Sequence, residues 1–153
     1  MVPNDLAFVR RVLSLVGENG CDAWVFGGWA EEFLGLEAPR PHGDVDLLHP
    51  AQSFACVDAF LRRNRQLAEI TAKRFPHKRA FDLDGVTIEL ILVQRDAVSR
   101  YTNVWGTSRH DWPEDVLDVR VRGMRVTSPA ALAGFRAAWT ALPRCATWLA
   151  EAG

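Results

Sequence analysis

The sequence predicts an α/β (α+β) fold, a short mixed sheet flanked by helices at both ends. Three observations predict it. Short apolar runs of strand length follow one another through the middle of the chain, amphipathic stretches of helical period lie at both ends and between them, and Gly, Pro and Asp-Gly signals punctuate the joins. No repeat, low-complexity tract or linker interrupts the pattern, so 1–153 is expected to form one domain. Residues from about 1 to 95 are expected to build the sheet and its helices, and those from about 96 to 153 a smaller C-terminal part.

The elements read as follows. Asn4 or Asp5 can cap a helix that carries Leu6, Val9, Leu13 and Val16 on one stripe and stops near Gly17 and Gly20. Ala23-Trp24-Val25-Phe26 is a buried strand entering a tight turn at Gly27-Gly28. A short helix from Trp29 to Leu34 closes at Gly35. After a loop bounded by Pro39 and Pro41, Asp44 to Leu48 is a strand, with Pro50 ending it. Ser53 to Asn64 is an amphipathic helix presenting Phe54, Val57, Phe60 and Leu61 to the core. Ala68–Lys73, Lys78–Leu83 and Val86–Val93 follow, the last two joined by the hairpin signal Asp84-Gly85. The segment from Thr102 to Asp111 has no readable period. Asp118–Val126 is an edge strand interrupted by Gly123, and Ser128-Pro129 starts a helix running to about Leu142, with a shorter helix after Pro143.

Bulk composition excludes several classes. Among 153 residues, 48% are hydrophobic and 24% charged, which suits a folded globular chain and not a disordered one. The formal net charge of -1 gives no global positive field, so nucleic acid is not an expected partner. Charge is nevertheless uneven: residues 1–50 hold 3 Lys/Arg against 8 Asp/Glu, and residues 51–100 hold 9 against 6. That order suits a site that gathers metal and then phosphate, or two solvated faces of opposite sign. Cys21, Cys56 and Cys145 are odd in number and lack CxxC spacing, so they read as free thiols in a reducing compartment. With no apolar run near the ~20 residues of a membrane span, a cytoplasmic protein is expected.

The chemistry lies in the carboxylates. On a strand, Asp44 and Asp46 point to one face while Val45 packs on the other. Hard divalent cations take oxygen ligands, and Mg²⁺ is held by one or two carboxylates together with phosphates. Glu89 sits inside the apolar strand Val86–Val93, where a carboxylate is costly unless paired or metal-bound. It is a third metal ligand, or a base that takes the proton of an attacking hydroxyl, or a solvent-side residue of an edge strand. Asp82 and Asp84 serve the hairpin turn. Gly27 and Gly28 let backbone N–H groups approach a phosphate closely. His42 shapes the loop before the strand, and a His42/His49 transition-metal site is disfavoured because the carboxylates already suit Mg²⁺. Lys73, Arg74, His77, Lys78 and Arg79 form a basic cluster, most simply a solvated hairpin and otherwise a place for phosphate tails or an acidic partner. Trp29 and Trp139 read as core, whereas Trp105 and Trp112 could stack on a base or line a cleft.

Gly27-Gly28-Trp29-Ala30, Gly35 and Arg40-Pro41-His42-Gly43-Asp44-Val45-Asp46-Leu47 together resemble the signature of the DNA polymerase beta nucleotidyltransferase superfamily. Within it, the chain is most similar to the aminoglycoside-2''-adenylyltransferase and lincosamide nucleotidyltransferase group, over about residues 20–140. Trp112-Pro113 through Gly123, then Ser128-Pro129 and a helix, is similar to that group's C-terminal part. Arg136 is the nearest equivalent of a basic residue common on the group's last helix. The Lys-Asp-x-x-Asp pattern that often follows is absent, and Leu142-Pro143-Arg144-Cys145-Ala146-Thr147 stands there, so the acceptor side is reduced.

The resemblance implies the minimal nucleotidyltransferase fold and metal-dependent transfer of a nucleoside monophosphate, AMP by first choice, from ATP or another NTP to a hydroxyl. Asp44, Asp46 and Glu89 would be catalytic and would ligate two Mg²⁺ ions, with Mn²⁺ as the substitute. Gly27, Gly28, Arg40 and Arg136 would bind the nucleotide. The acceptor implied is a small molecule of the aminoglycoside or lincosamide kind, the partners are that acceptor and the triphosphate, and the protein would be a monomer or homodimer. The alternatives are a toxin-like member that modifies RNA or protein, and a catalytically silent nucleotide- or partner-binding module of the same fold.

Overall fold

The computed structural model describes residues 3–141. Helix α1 (Leu6–Glu18) is capped by Asp5, whose carboxylate accepts the Phe8 N–H at 2.9 Å, and it buries Phe8, Val9, Val12 and Val16. Strand β1 (Trp24–Phe26) runs straight into helix α2 (Gly27–Phe33), so the Gly27-Gly28 pair forms the first turn of a helix and not a separate turn before one. Strand β2 (Asp44–Pro50) extends through Pro50, which is its last residue and pairs with Val93. Helix α3 (Ala55–Arg63) packs Val57, Phe60 and Leu61 inward.

The expected Ala68–Lys73 element splits in two. Strand β3 is only Ala68–Glu69, and the chain then turns through the 3-10 segment Thr71–Lys73. Strands β4 (Lys78–Leu83) and β5 (Val86–Arg95) form the expected hairpin. Asp84 and Gly85 both take positive φ, 51° and 85°, which is the conformation that matches strand twist in a two-residue turn.

The unreadable segment is a second hairpin, β6 (Arg100–Val104) and β7 (Ser108–Asp111). Trp105 and Gly106 at its turn have φ of 60° and 77°. A tryptophan in that region carries no turn signal, which is why the sequence hides it. The expected single strand over 118–126 is also a hairpin. Strands β8 (Val119–Val121) and β9 (Met124–Val126) fold back through Arg122 and Gly123, at φ 52° and 79°. Helix α4 (Pro129–Ala141) starts where Ser128 Oγ accepts the Ala131 N–H at 3.1 Å. The helix expected after Pro143, the stretch Leu142–Thr147 and Cys145 lie outside the described residues.

The sheet runs β3-β4-β5-β2-β1-β9-β8, with β6 joined to β5 and β7 to β6. Pairing is mixed: β2 is parallel to β5 and β1 to β9, and the other pairs are antiparallel. Val45 and Leu47 of β2 lie beside Ile88 and Leu90 of β5 in the core that also takes Val12, Phe60 and Phe81. Since strand side chains alternate, this core face fixes the opposite face of both central strands as the one that carries Asp44, Asp46 and Glu89. Among the described residues, no helix is long and apolar enough to cross a membrane.

Candidate active site

The parallel register of β2 and β5 sets the geometry. It places Asp46 directly beside Glu89, and Asp44 beside Thr87. One carboxylate oxygen from each of Asp44, Asp46 and Glu89 lies within 4.8 Å of the other two. Asp44 is exposed, and Asp46 and Glu89 are half-buried at the floor of the group.

Three acids so close cannot share the same electrostatics. Burial, and then the neighbouring charges of Asp44 and Glu89, push the Asp46 carboxyl well above the usual range. Asp44 is raised by burial and by Glu89. Glu89 goes the other way: burial works to raise it, but the Lys78 and Lys73 ammonium groups outweigh burial and hold it charged. Lys73 Nζ donates to Glu89 Oε1 at 2.6 Å, and Lys78 Nζ stands 3.6 Å from Oε2.

The Gly27-Gly28 pair is required on the opposite flank. Gly27 has φ +63°, and a Cβ there would overlap Asp46 Oδ2. A Cβ on Gly28 would lie 2.7 Å from Arg40 Nη2 and 3.0 Å from His42 Nδ1. Glycine therefore lets one carboxylate and one guanidinium close onto the start of α2. His42 shapes this loop as expected: it stacks on Trp29 with ring centroids 4.1 Å apart and meets Glu32 Oε1 through Nε2 at 3.0 Å. Glu32 also accepts the Arg40 N–H at 3.1 Å, which fixes the approach to β2. His49 is buried on the other face of the strand, with Nδ1 2.7 Å from the Asp22 carbonyl, so it is not part of the acidic group.

Arg136 reaches the same side of the molecule by another route. Its guanidinium pairs with Glu31 of α2 across a cleft of about 200 Å³ lined by Phe26, Gly27, Leu132, Phe135 and Trp139. Two clefts of about 490 and 420 Å³ lie elsewhere, beside Gln66 and Asp84 and beside Cys21 and Arg125; they are larger, but neither gathers the acidic group.

Two tryptophan expectations exchange places. Trp112 is core: it is 4% exposed, and its indole N–H donates to Thr102 Oγ1 at 2.8 Å. Trp139 is half-buried and lines the cleft beside Gly27. Trp29 is buried as expected, and Trp105 packs edge-on against Phe75 and His77 at 4.7 and 4.8 Å.

The basic cluster is not a solvated hairpin. Arg74 and Arg79 are spent on Asp58, His77 is buried, and Lys73 and Lys78 turn to Glu89. The signal for Lys78 was present in the sequence. Counting back from the Asp84-Gly85 turn pairs Ala80 with Glu89, and Lys78 is two residues away on the same face.

The described fold is that of a nucleotidyltransferase. The crystal structure of the lincosamide antibiotic adenylyltransferase LnuA, lincomycin-bound, matches with a TM-score of 0.69 at 15% identity, over 97% of this chain and 94% of that one. The crystal structure of ANT(2'')-Ia in complex with adenylyl-2''-tobramycin matches with a TM-score of 0.62 at 15% identity, over 90% of this chain and 77% of that one. No curated protein matches the chain. The family model for aminoglycoside-2''-adenylyltransferase matches residues 8–127, and the chain belongs to that family of nucleotidyltransferase enzymes.

Proposed function

We propose that this enzyme moves AMP from ATP to a hydroxyl of a small molecule, with Asp44, Asp46 and Glu89 as catalytic ligands of divalent metal. The observation that carries this reading is the approach of three carboxylate oxygens to within 4.8 Å of one another. The donor set fits Mg²⁺, two ions of it or Mn²⁺ in its place, because all three donors are hard oxygens. The raised Asp46 carboxyl supports the same fit, since burial first, and then the crowded charges of Asp44 and Glu89, outweigh the countercharge of Lys78. When bound, such ions neutralise the charge that builds on the attacking and leaving oxygens.

The residues divide the remaining work. Gly27 and Gly28 offer backbone N–H groups at the start of α2 to the triphosphate, and the Arg40 guanidinium beside Gly28 meets a phosphate oxygen. Arg136, at the mouth of the cleft beside Gly27, belongs to the nucleotide side. Glu89 accepts the proton of the acceptor hydroxyl, whose oxygen bonds to the α-phosphorus while the bond to the β-phosphate oxygen breaks and pyrophosphate leaves.

Tobramycin and lincomycin, named with the two similar structures, are the first acceptors to try. The test incubates the protein with Mg²⁺, a panel of α-labelled nucleoside triphosphates, those two acceptors and hydroxyl-bearing small molecules of neutral and anionic class, beside Asp44→Asn. Label transferred by the wild type and not by the variant supports the proposal. Nucleotide binding without transfer to any acceptor class would leave a silent nucleotide-binding module instead.

A further inference from the structure

We infer that Lys73 and Lys78 determine acceptor specificity, by receiving an anionic group, a carboxylate or phosphate, carried by the acceptor near its reacting hydroxyl. The inference rests on the proposed function, in which Glu89 takes that hydroxyl's proton.

Strand order carries the argument. Along the edge of the sheet, the functional groups follow the sequence of strands β1, β2, β5, β4. Gly27 and Gly28 follow β1, Asp44 and Asp46 stand on β2, Glu89 on β5 and Lys78 on β4. Lys73 leads into the same strand from the 3-10 turn. The triphosphate belongs to the glycine end, so the two lysines are separated from it by the whole acidic group. They flank Glu89 on the side left for the acceptor. The ammonium groups lie 2.6 and 3.6 Å from the two oxygens of Glu89, so a hydroxyl within reach of that carboxylate is also within reach of them.

Charge then selects. Asp58 and Glu69 lie with Arg79 and Phe81 on the opposite face of the sheet, where Arg74 and Arg79 engage them, so neither competes with Glu89 for the lysines. Divalent cations drawn to the acidic group compete with both lysines for Glu89, and an incoming carboxylate or phosphate supplies the ammonium groups with a replacement partner. A polyamine acceptor such as tobramycin would bring ammonium groups against them and be repelled. His77, the remaining titratable neighbour, is buried and stays neutral at physiological pH, so it adds no charge to this balance.

The experiment gives the full chain Mg²⁺, α-labelled ATP and a small-molecule extract divided by ion exchange into anionic, neutral and cationic pools, with tobramycin as a separate arm. Label entering a product of the anionic pool alone is the expected result. Label entering the neutral pool, the cationic pool or tobramycin overturns the inference. No pool labelled, with or without ATP binding, fails the proposed function itself and the inference with it, and is thereby distinguished from label in a wrong pool. With an anionic acceptor in hand, Lys78→Met should raise the KM for the acceptor about tenfold and leave the KM for ATP nearly unchanged, with Lys78→Arg restoring most of the loss. A rise confined to the KM for ATP would move the lysine to the triphosphate and overturn the assignment.

Discussion

Asp46 and Glu89 occupy one register position on the parallel strands β2 and β5, yet their carboxyls are driven in opposite directions. Glu89 has the ammonium groups of Lys73 and Lys78. Asp46 has burial and two like charges.

That difference predicts how Asp46 acts on stability. Its folded-state pKa lies above the ordinary 3.8, so the folded chain binds this proton more tightly than the unfolded one. Stability from this group is therefore present at low pH and falls as pH rises above 3.8. Asp46→Asn should raise the melting temperature of the metal-free protein at neutral pH while lowering nucleotidyl transfer by at least ~100-fold. Adding Mg²⁺ should raise the melting temperature of the wild type and leave that of the variant where it was. A metal-free variant that melts below the wild type would refute this account.

Gly27→Ala combines two penalties. The left-handed conformation costs a residue with a Cβ about 1–2 kcal/mol, and the new methyl group would overlap Asp46 Oδ2. Urea denaturation should show a loss of at least that size. Transfer should fall further than stability alone explains, because Asp46 must move. Gly85→Ala, which shares a positive φ but meets nothing within 4 Å, is the control: it should lose stability and keep activity.

His77 should make the fold acid-sensitive. Burial first, and then the nearby Lys78 charge, push its pKa down to about 4. Its Nδ1 accepts the Trp105 N–H at 3.1 Å, a bond that a proton on that nitrogen would abolish. The unfolded chain binds the proton more readily, so this stability is present above pH 6.5 and is lost as pH falls toward 4. By linkage the loss approaches about 3 kcal/mol. Denaturation curves at pH 7 and pH 5 should show the slope, and His77→Gln should flatten it in part, with His49 and His110, both also lowered, supplying the rest.

The Sγ atoms of Cys21 and Cys56 stand 2.8 Å apart, joining the end of α1 to α3. A small-molecule disulfide such as oxidised glutathione should convert them to a protein disulfide, with each thiol losing its hydrogen and the oxidant leaving as two thiols. Burial pushes the Cys21 thiol up to about 12, so the reaction should start at the more exposed Cys56 and be slow at neutral pH. Peptide mapping under non-reducing conditions should recover one cross-linked peptide pair. Persistence of Cys21 and Cys56 as alkylatable thiols after prolonged oxidation would rule it out.

Much of the fold was legible in the sequence because its signals are local. Asp5 and Ser128 cap helices through their own side chains, and Asp84-Gly85 can make only a narrow range of turns. The alternation of Asp44, Val45 and Asp46 fixes which face the carboxylates share. The 102–111 hairpin and the 118–126 hairpin were missed for the converse reason. Trp105 and Arg122 adopt positive φ at their turns, which no propensity predicts; packing and strand pairing impose it.

The acidic pair, the third carboxylate as a candidate and the glycines beside them are readable from the chain alone, because each depends on residue identity and on a period of two. That β2 and β5 run parallel, in the register that joins Asp46 to Glu89, follows from the folded sheet alone. The same packing turns Lys73 out of the basic cluster toward Glu89, buries Trp112 and sets Trp139 along the cleft. The difference is one of range: side-chain direction along one strand is set within a few residues, whereas pairing between strands is set by the burial of a whole face.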